Sequence, residues 1–204
     1  MSLIIRLIGK KEEYKIIDEL NALNQSLRDI GISNSPLRPQ TISGNTVFPW
    51  ICLSPSDINY LKNLFLEIKS DSTWTCKSNF TFVGERVFLE DLAKDILKDR
   101  LSHLLWHYNF CGYYVPLDFE DLTVTRDFLM YIGSSINLHS ELKEISNRIE
   151  LDLGDYTPDL ELLYKQRITE LENDSLCFEK MLILYLYNFC LASIRYNLVI
   201  NFSG

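Results

Sequence analysis

The chain has 204 residues, of which 47% are hydrophobic, 12% aromatic and 24% charged; this composition indicates a folded protein and excludes a disordered or fibrous chain. Its 28 acidic and 20 basic residues give a net charge of -8, with no run of basic residues. Nucleic acid is therefore excluded as a predicted partner, because binding phosphates requires clustered lysine and arginine. An acidic surface attracts basic protein partners by steering, but moderate acidity is more often an ordinary solubility feature.

The length predicts a single domain covering residues 1–204. The five cysteines form no CxxC pair or zinc-ribbon spacing, which predicts reduced thiols in a cytoplasmic protein. Arg6 interrupts the apolar N-terminal run, which is too short for a signal sequence. Residues 181–193 form an apolar stretch of thirteen residues, which contains Asn188 and is closed by Arg195. A membrane-spanning helix needs about 20, so we expect a buried helix and no membrane partner.

The first elements alternate between strand and helix patterns. Residues 2–8 are rich in isoleucine and predict a strand buried on both faces, or nearly so. Apolar residues then recur at spacings of four and three from Ile16 to Ile30, which predicts an amphipathic helix ending at Gly31. Residues 32–44 (ISNSPLRPQTISG) predict a loop of about a dozen residues, either an ordinary surface loop or a second candidate for a site.

A helix start follows a short β-prone stretch. Residues 46–53 contain Pro49, which predicts an edge strand or two short pieces. Ser54 has the character of an N-cap, with Pro55 at the first helical position and Asp57 three residues after the cap. These three residues predict that a helix begins at Pro55.

The middle of the chain predicts short strands over residues 73–88, where β-branched and aromatic residues alternate with turn signals. Residues 89–105 return to helical spacing, with acidic residues early and basic residues late, as the helix dipole favours. We therefore expect a helix that continues to Leu105.

The second half is mostly helical in pattern. Residues 133–135 (GSS) cap a predicted helix that carries apolar residues to position 149, and Thr157-Pro158 opens another. Residues 176–196 are apolar on every side, which predicts a long central helix. Residues 197–202 predict a last strand. Strands early and helices late predict a single-domain α+β fold, with a mixed or antiparallel sheet in the first ~120 residues and a helical C-terminal part.

Residues 103–121 (HLLWHYNFCGYYVPLDFED) contain most of the chain's possible chemistry. Cys111-Gly112 separates two alternating runs, which predicts a β-hairpin. In its register, Asn109 lies opposite Tyr114, His107 opposite Pro116 and Leu105 opposite Asp118. Pro116 cannot donate to a ladder, so it places its strand at an edge or near its end.

The polar face of this hairpin is the candidate ligand-binding site. It brings together His107, Asn109, Tyr114 and Asp118. The alternative is a solvated face without a function, since antiparallel sheets commonly have one wet side.

No motif predicts a catalytic residue, a metal or a cofactor. His103 and His107 have a spacing found in zinc sites, but no glutamate follows the first histidine and the predicted strand separates the two rings. Cys111 with His107 or His139 would give a nucleophile pair, and Asp118 with Glu120 or Asp121 an acid/base pair, but nothing specific recommends either one. We expect none of the three.

The stretch WHYNFCGYYVPLDF, followed by GSS and the leucines up to Ile145, resembles a pattern of uncharacterised bacterial proteins. In that pattern a histidine-containing strand precedes a GYYVP-type segment ending in Asp-Phe, and a GSS-capped helix follows. The resemblance covers residues 103–145. Tyr108-Asn109 stands where a Ser-Asp pair is expected, which argues against a catalytic His-Ser-Asp group.

Two hypotheses for function follow. The first is a non-enzymatic protein-interaction module of unknown oligomeric state, for which a toxin-neutralising immunity protein is one concrete form. It is based on the acidic balance, the aromatic hairpin and the lack of a catalytic motif. The alternative is a small-molecule-binding protein or hydrolase with a pocket at the hairpin.

Overall fold

The computed structural model describes residues 2–8, 13–32, 37, 50–71, 73–74, 102–107, 111–120, 123–124 and 131–204. They form one α+β domain built on a mixed sheet, which confirms the predicted class. The helices are α1 (Glu13–Asp29), α2 (Pro55–Ser70), α3 (His103–Trp106), α4 (Ser135–Arg148), α5 (Leu160–Leu171) and α6 (Cys177–Tyr196). The strands are β1 (Leu3–Ile8), β2 (Trp50–Leu53), β3 (Cys111–Val115), β4 (Thr123–Val124), β5 (Tyr131–Ser134) and β6 (Val199–Ser203).

The six strands lie in the order β2-β1-β6-β3-β5-β4. Neighbouring strands are antiparallel except β3 and β5, which run parallel. The predicted last strand is confirmed, and it lies in the interior of the sheet, where Leu7 and Tyr114 both pair with Ile200. Three of the six strands, β4, β5 and the predicted β6, thus come from beyond residue 120, so the sheet extends past the first ~120 residues in which it was expected.

Both faces of the sheet carry apolar clusters. On one face, Leu20, Leu23 and Leu27 of α1 pack with a set that includes Tyr113 and Val115 of β3. On the other face, α2, α4 and α6 pack against the alternate strand residues, for example Leu3, Ile5, Tyr114, Ile200 and Phe202. Strand β3 is therefore buried on both sides.

Helix α6 is the central helix that the apolar pattern predicts. By length and composition alone it could cross a membrane, but 67% of its most apolar window is buried inside the fold. A left-handed residue, Asn197 (φ 52°), ends it, and the Leu198 amide donates to the Ser193 carbonyl at 2.9 Å. The chain then enters β6, so the helix packs on the sheet to which its own continuation belongs.

Local helix signals are confirmed where they involve side-chain caps. Ser54 and Asp57 form the reciprocal capping box of α2, and Ser134 caps α4. Helix α5 begins two residues later than Thr157-Pro158 suggested, because the Asp159 carboxylate accepts from the backbone amides of residues 161 and 162. The cap was assigned to the wrong residue, whereas the helix itself is present.

Several predicted segments lie largely outside the described residues. They include the strands over 75–88, the helix over 89–101 and most of the loop over 32–44. From that loop the structure describes Leu37, whose backbone amide donates to Asn24 Oδ1 at 2.6 Å while its carbonyl accepts from Asn24 Nδ2 at 2.9 Å. The predicted helix does not continue unbroken to Leu105, because extended Ser102 (φ -81°, ψ 128°) starts the separate helix α3.

The predicted hairpin over residues 103–121 is wrong. Cys111-Gly112 lies inside β3 rather than in a turn, and residues 103–106 are helical. Tyr114 pairs with Gly133 of β5 and Ile200 of β6 instead of Asn109. The physical reason is that both faces of β3 are covered, so its alternating pattern does not mark one wet face. Pairing of β3 with the distant strands β5 and β6 replaces the local hairpin.

At Gly112, the fold requires a residue without a side chain. Its φ is +141°, and an added Cβ would lie 2.6 Å from the Tyr131 carbonyl oxygen and 2.9 Å from the His107 ring. We expect Gly112→Ala to lower the free energy of unfolding by about 3 kcal/mol, through backbone strain and overpacking. Urea unfolding measures this change.

Gly154→Ala is the matched control. Gly154 also has a positive φ, +62°, but nothing lies within 4 Å of an added Cβ. In this variant the free energy of unfolding should fall by only about 1 kcal/mol, the cost of placing alanine in the left-handed conformation. Equal losses in the two variants would contradict the role given to the close contacts of Gly112.

Candidate functional site

The four residues predicted as a ligand site do not share one exposed face. His107 and Tyr114 are each 2% exposed, and their rings stack with centroids 4.2 Å apart. Asp118 is exposed. Asn109 lies outside the described residues. The structure thus places the two described rings in the core and the described carboxylate on the surface.

The space beside His107 and Tyr114 is small. A cavity of about 10 Å³ is lined by these two rings and five apolar side chains, Ile58, Leu104, Leu138, Leu186 and Phe202. This is roughly the minimum that a single water molecule requires. Ligand binding by the four residues remains a prediction, and the hairpin on which it was based is absent.

His103 is held by hydrogen bonds on both ring nitrogens. Nδ1 accepts from the Ser134 backbone amide at 2.8 Å, and Nε2 lies 3.0 Å from the Glu120 carbonyl oxygen. A ring nitrogen that accepts from an amide carries no proton, so Nε2 carries it and donates to Glu120. These contacts give His103 a structural role, in which it joins α3 to β5 and to the loop after β3.

Glu141 of α4 caps α3 from outside that helix. Its carboxylate accepts from the backbone amides of His103 and Leu104 and from the Ser102 hydroxyl, each at 2.8 Å. The first amides of a helix have no partner within the helix, and a carboxylate there is favoured by the helix dipole. Glu141 therefore has a structural role, in which it joins α4 to the start of α3.

Glu141→Gln tests this capping role. In the variant, the side-chain NH2 group faces the backbone amides of α3, which are also donors. We therefore expect the free energy of unfolding to fall by about 2 kcal/mol. Glu144→Gln is the matched control on the same helix, where an exposed carboxylate pairs with Lys69; its effect should stay within about 0.5 kcal/mol. Thermal and urea unfolding of both variants measure the difference. A loss as small for Glu141→Gln as for Glu144→Gln would refute the cap.

The negative charge of the chain is concentrated in one stretch that sequence inspection missed. Residues 150–174, named here the acidic segment, contain eight acidic and two basic residues, a net charge of -6. The other 179 residues contain twenty acidic and eighteen basic residues. A charge count by window, rather than over the whole chain, would have found it.

Most carboxylates of the acidic segment face solvent. Glu161 pairs with Lys165 and Glu170 with Arg167, so both basic residues are engaged by acids of their own helix. Within the acidic segment, four exposed acids form no ion pair with a described residue: Glu150, Asp152, Asp155 and Glu172. Asp159, also exposed, uses its carboxylate to cap α5. The segment therefore presents uncompensated negative charge.

The start of the acidic segment has a defined backbone. Glu150 adopts a left-handed conformation (φ 53°) after the end of α4, and the Leu151 amide donates to the Ser146 carbonyl at 2.9 Å. This is the helix-ending geometry in which glycine is the usual residue. Asp152 Oδ1 then accepts from the Gly154 amide at 3.1 Å. The carboxylates are thus presented from a hydrogen-bonded turn.

The fold and this surface together define a small α+β protein with one strongly acidic exposed segment. A model of the family described as "Putative DNA-mimic protein" matches residues 1–202, and the chain belongs to this family. No curated protein and no solved structure matches it. The family's description suggests a protein-interaction role, the coarse class of our first hypothesis.

The family corrects the predicted partners. We excluded nucleic acid because the chain is acidic. We predicted a protein partner without any relation to DNA. The family is described by its mimicry of DNA, so leaving DNA out of the account was wrong. The acidity that argues against binding DNA is the property that resembling DNA requires. The resemblance of residues 103–145 to uncharacterised bacterial proteins remains a prediction.

Proposed function

We propose that this protein is a DNA mimic, which occupies the DNA-binding surface of a partner protein in place of DNA. The observation that carries the proposal is the acidic segment, which holds -6 of the chain's net charge of -8. Membership of the family supports the same role. The role needs no catalytic group.

The physical basis is electrostatic complementarity. Duplex DNA carries about one negative charge per 1.7 Å of its axis, and DNA-binding proteins meet it with lysine and arginine. Exposed carboxylates without ion pairs present the same sign of charge to such a surface. Opposite potentials steer two proteins together and suppress association with acidic partners.

The conformation of Glu150 supports a functional use of this charge. A residue other than glycine in the left-handed region costs roughly 1 kcal/mol or more. Glycine would remove that cost and also the carboxylate. The sequence has glutamate there, next to the exposed carboxylate of Asp152.

An immunity protein against a DNA-cleaving toxin is the more specific form of this proposal. An enzyme that cleaves DNA has a basic groove for the phosphates of its substrate. A folded acidic surface that fills this groove blocks the enzyme without any chemistry. The acidic segment meets this requirement by charge and exposure.

The test is elution of DNA-binding proteins from immobilised duplex DNA. Proteins from the host are bound to duplex DNA on a resin, and the purified protein is added at increasing concentration. We expect it to release a specific protein, identified by mass spectrometry, at one fixed ionic strength, because salt alone also weakens binding to the resin. Neutralising four acids should raise the half-eluting concentration about ten-fold or more; the changes are Glu150→Gln, Asp152→Asn, Asp155→Asn and Asp159→Asn, the last of which keeps a capping side chain.

A control variant removes four exposed acids outside the acidic segment. The changes are Asp18→Asn, Asp29→Asn, Asp118→Asn and Glu120→Gln, which alter the net charge equally. This variant should elute within about three-fold of the unchanged protein, because these acids belong to α1 and to the residues after β3 rather than to the acidic segment, and salt screens exposed charges. Equal weakening by the two variants, or no elution by the unchanged protein, would sink the proposal.

Glu150→Gly separates stability from binding. It removes the left-handed strain, so the free energy of unfolding should rise by about 1 kcal/mol. The same change removes one carboxylate, so elution from duplex DNA should weaken as much as in Glu150→Gln. Urea unfolding and the elution assay give the two readings. A stabilised variant with undiminished elution would show that the Glu150 carboxylate has no part in binding.

A further inference from the structure

A cleft of about 500 Å³ opens beside the start of the acidic segment. One wall is the last half of α4, including Lys143 and Asn147, and the other is the turn that carries Asp152 and Asp155. Tyr187 of α6 also lines it. Its size is within the range of sites that take a small molecule or a large side chain.

The turn supplies hydrogen-bond acceptors to this cleft, opposite the Lys143 ammonium and the Asn147 amide of α4. Asp152 and Asp155 supply two carboxylates without ion pairs among the described residues, and Tyr187 supplies a hydroxyl. Burial raises the pKa of Tyr187, and its proximity to Cys190 and Asp155 raises it further. The phenol therefore stays neutral at physiological pH and its oxygen can accept a hydrogen bond.

The framework of the cleft is rigid. The Tyr187 ring stacks on His139 of α4, with centroids 4.7 Å apart and an interplanar angle of 20°. The Arg167 guanidinium donates to the Asp152 carbonyl oxygen, which fixes the turn to α5. The carboxyl end of α4, which carries the negative end of the helix dipole, lies at the same place. An occupant would meet acceptors that are already in position, which lowers the ordering cost of binding.

We propose that this cleft receives an arginine side chain of the DNA-binding partner; this inference rests on the proposed function and specifies its central contact. Arginine presents five donors in a planar fork, which suits two carboxylates and a hydroxyl. Lysine presents a compact ammonium and satisfies fewer acceptors at once. Arginine is also an enriched anchor residue at protein interfaces.

The experiment compares hexa-arginine and hexa-lysine peptides as probes, by isothermal titration calorimetry at low salt. Both carry six positive charges, so their affinity ratio cancels the attraction that depends only on charge. We expect the unchanged protein to prefer hexa-arginine by about five-fold or more. Asp152→Asn with Asp155→Asn should reduce the ratio to near one.

Glu150→Gln with Glu172→Gln is the matched control. It removes two exposed acids of the same segment that do not line the cleft. Both peptides should then bind more weakly, and the ratio of the affinity for hexa-arginine to that for hexa-lysine should stay the same. A preference that survives in the cleft variant, or is absent from the unchanged protein, overturns the inference.

Substitution of Lys143, on the α4 wall of the cleft, provides a second test of arginine binding. Lys143→Gln removes a cation that competes with the incoming guanidinium, so affinity for hexa-arginine should rise about three-fold or more. Lys165→Gln changes the net charge equally on exposed α5 and should have a smaller effect. Equal gains count against the cleft.

The two proposals fail differently. Elution from duplex DNA that depends on the acidic segment, together with a peptide ratio insensitive to the cleft, leaves the DNA mimic standing and removes the arginine contact. A cleft-dependent ratio without any elution shows an arginine-binding cleft that is not used for mimicry, which overturns the inference as stated. Circular dichroism of every variant verifies that the fold is retained.

Discussion

The pairing of β6 with both β1 and β3 is the interaction on which the rest of the structure depends. It joins the first residues of the chain to its middle through the last strand, with Arg6 and Tyr113 both opposite Asn201. Helix α6 leads directly into this strand and provides much of the core on one face. The acidic segment lies between α4 and α6, and both helices pack on the sheet side that β6 completes. Its carboxylates are therefore held by a frame that long-range strand pairing creates.

The sequence predicted the elements that local physics determines. The capping box at Ser54 and the cap at Ser134 rest on contacts within a few residues, and the apolar residues on every side of α6 mark it as a central helix; the structure has all three. The hairpin failed because the partners of β3 come from β5 and β6, about twenty and ninety residues away in sequence. An alternating pattern reports that a strand packs on something, and it does not report which strand lies beside it.

The candidate site was missed for a different reason. The net charge of -8 was known from composition, but its concentration in residues 150–174 appears only when charge is counted by window. Even that count cannot distinguish Glu161, which pairs with Lys165, from Asp155, which pairs with no described residue. Nor can it show that Asp152 and Asp155 share a cleft with Tyr187. The spacing of His103 and His107 instead drew the prediction to two histidines, whose ring nitrogens contact backbone atoms.

The distribution of ion pairs explains how a strongly acidic segment remains compatible with a stable fold. Where the segment meets the core, its acid is compensated: the pKa of Asp174 is raised by burial, but this is outweighed by hydrogen bonds from Lys180 and the Leu176 amide, so that it lies below its usual value. Away from the core, Glu150, Asp152 and Asp155 are left to solvent, where high dielectric and salt reduce their mutual repulsion. A basic partner would lower that dielectric and supply the missing counter-charge together. The exposed carboxylates of the acidic segment thus destabilise the free protein little, and they are the groups that would gain the strongest electrostatic attraction in a complex.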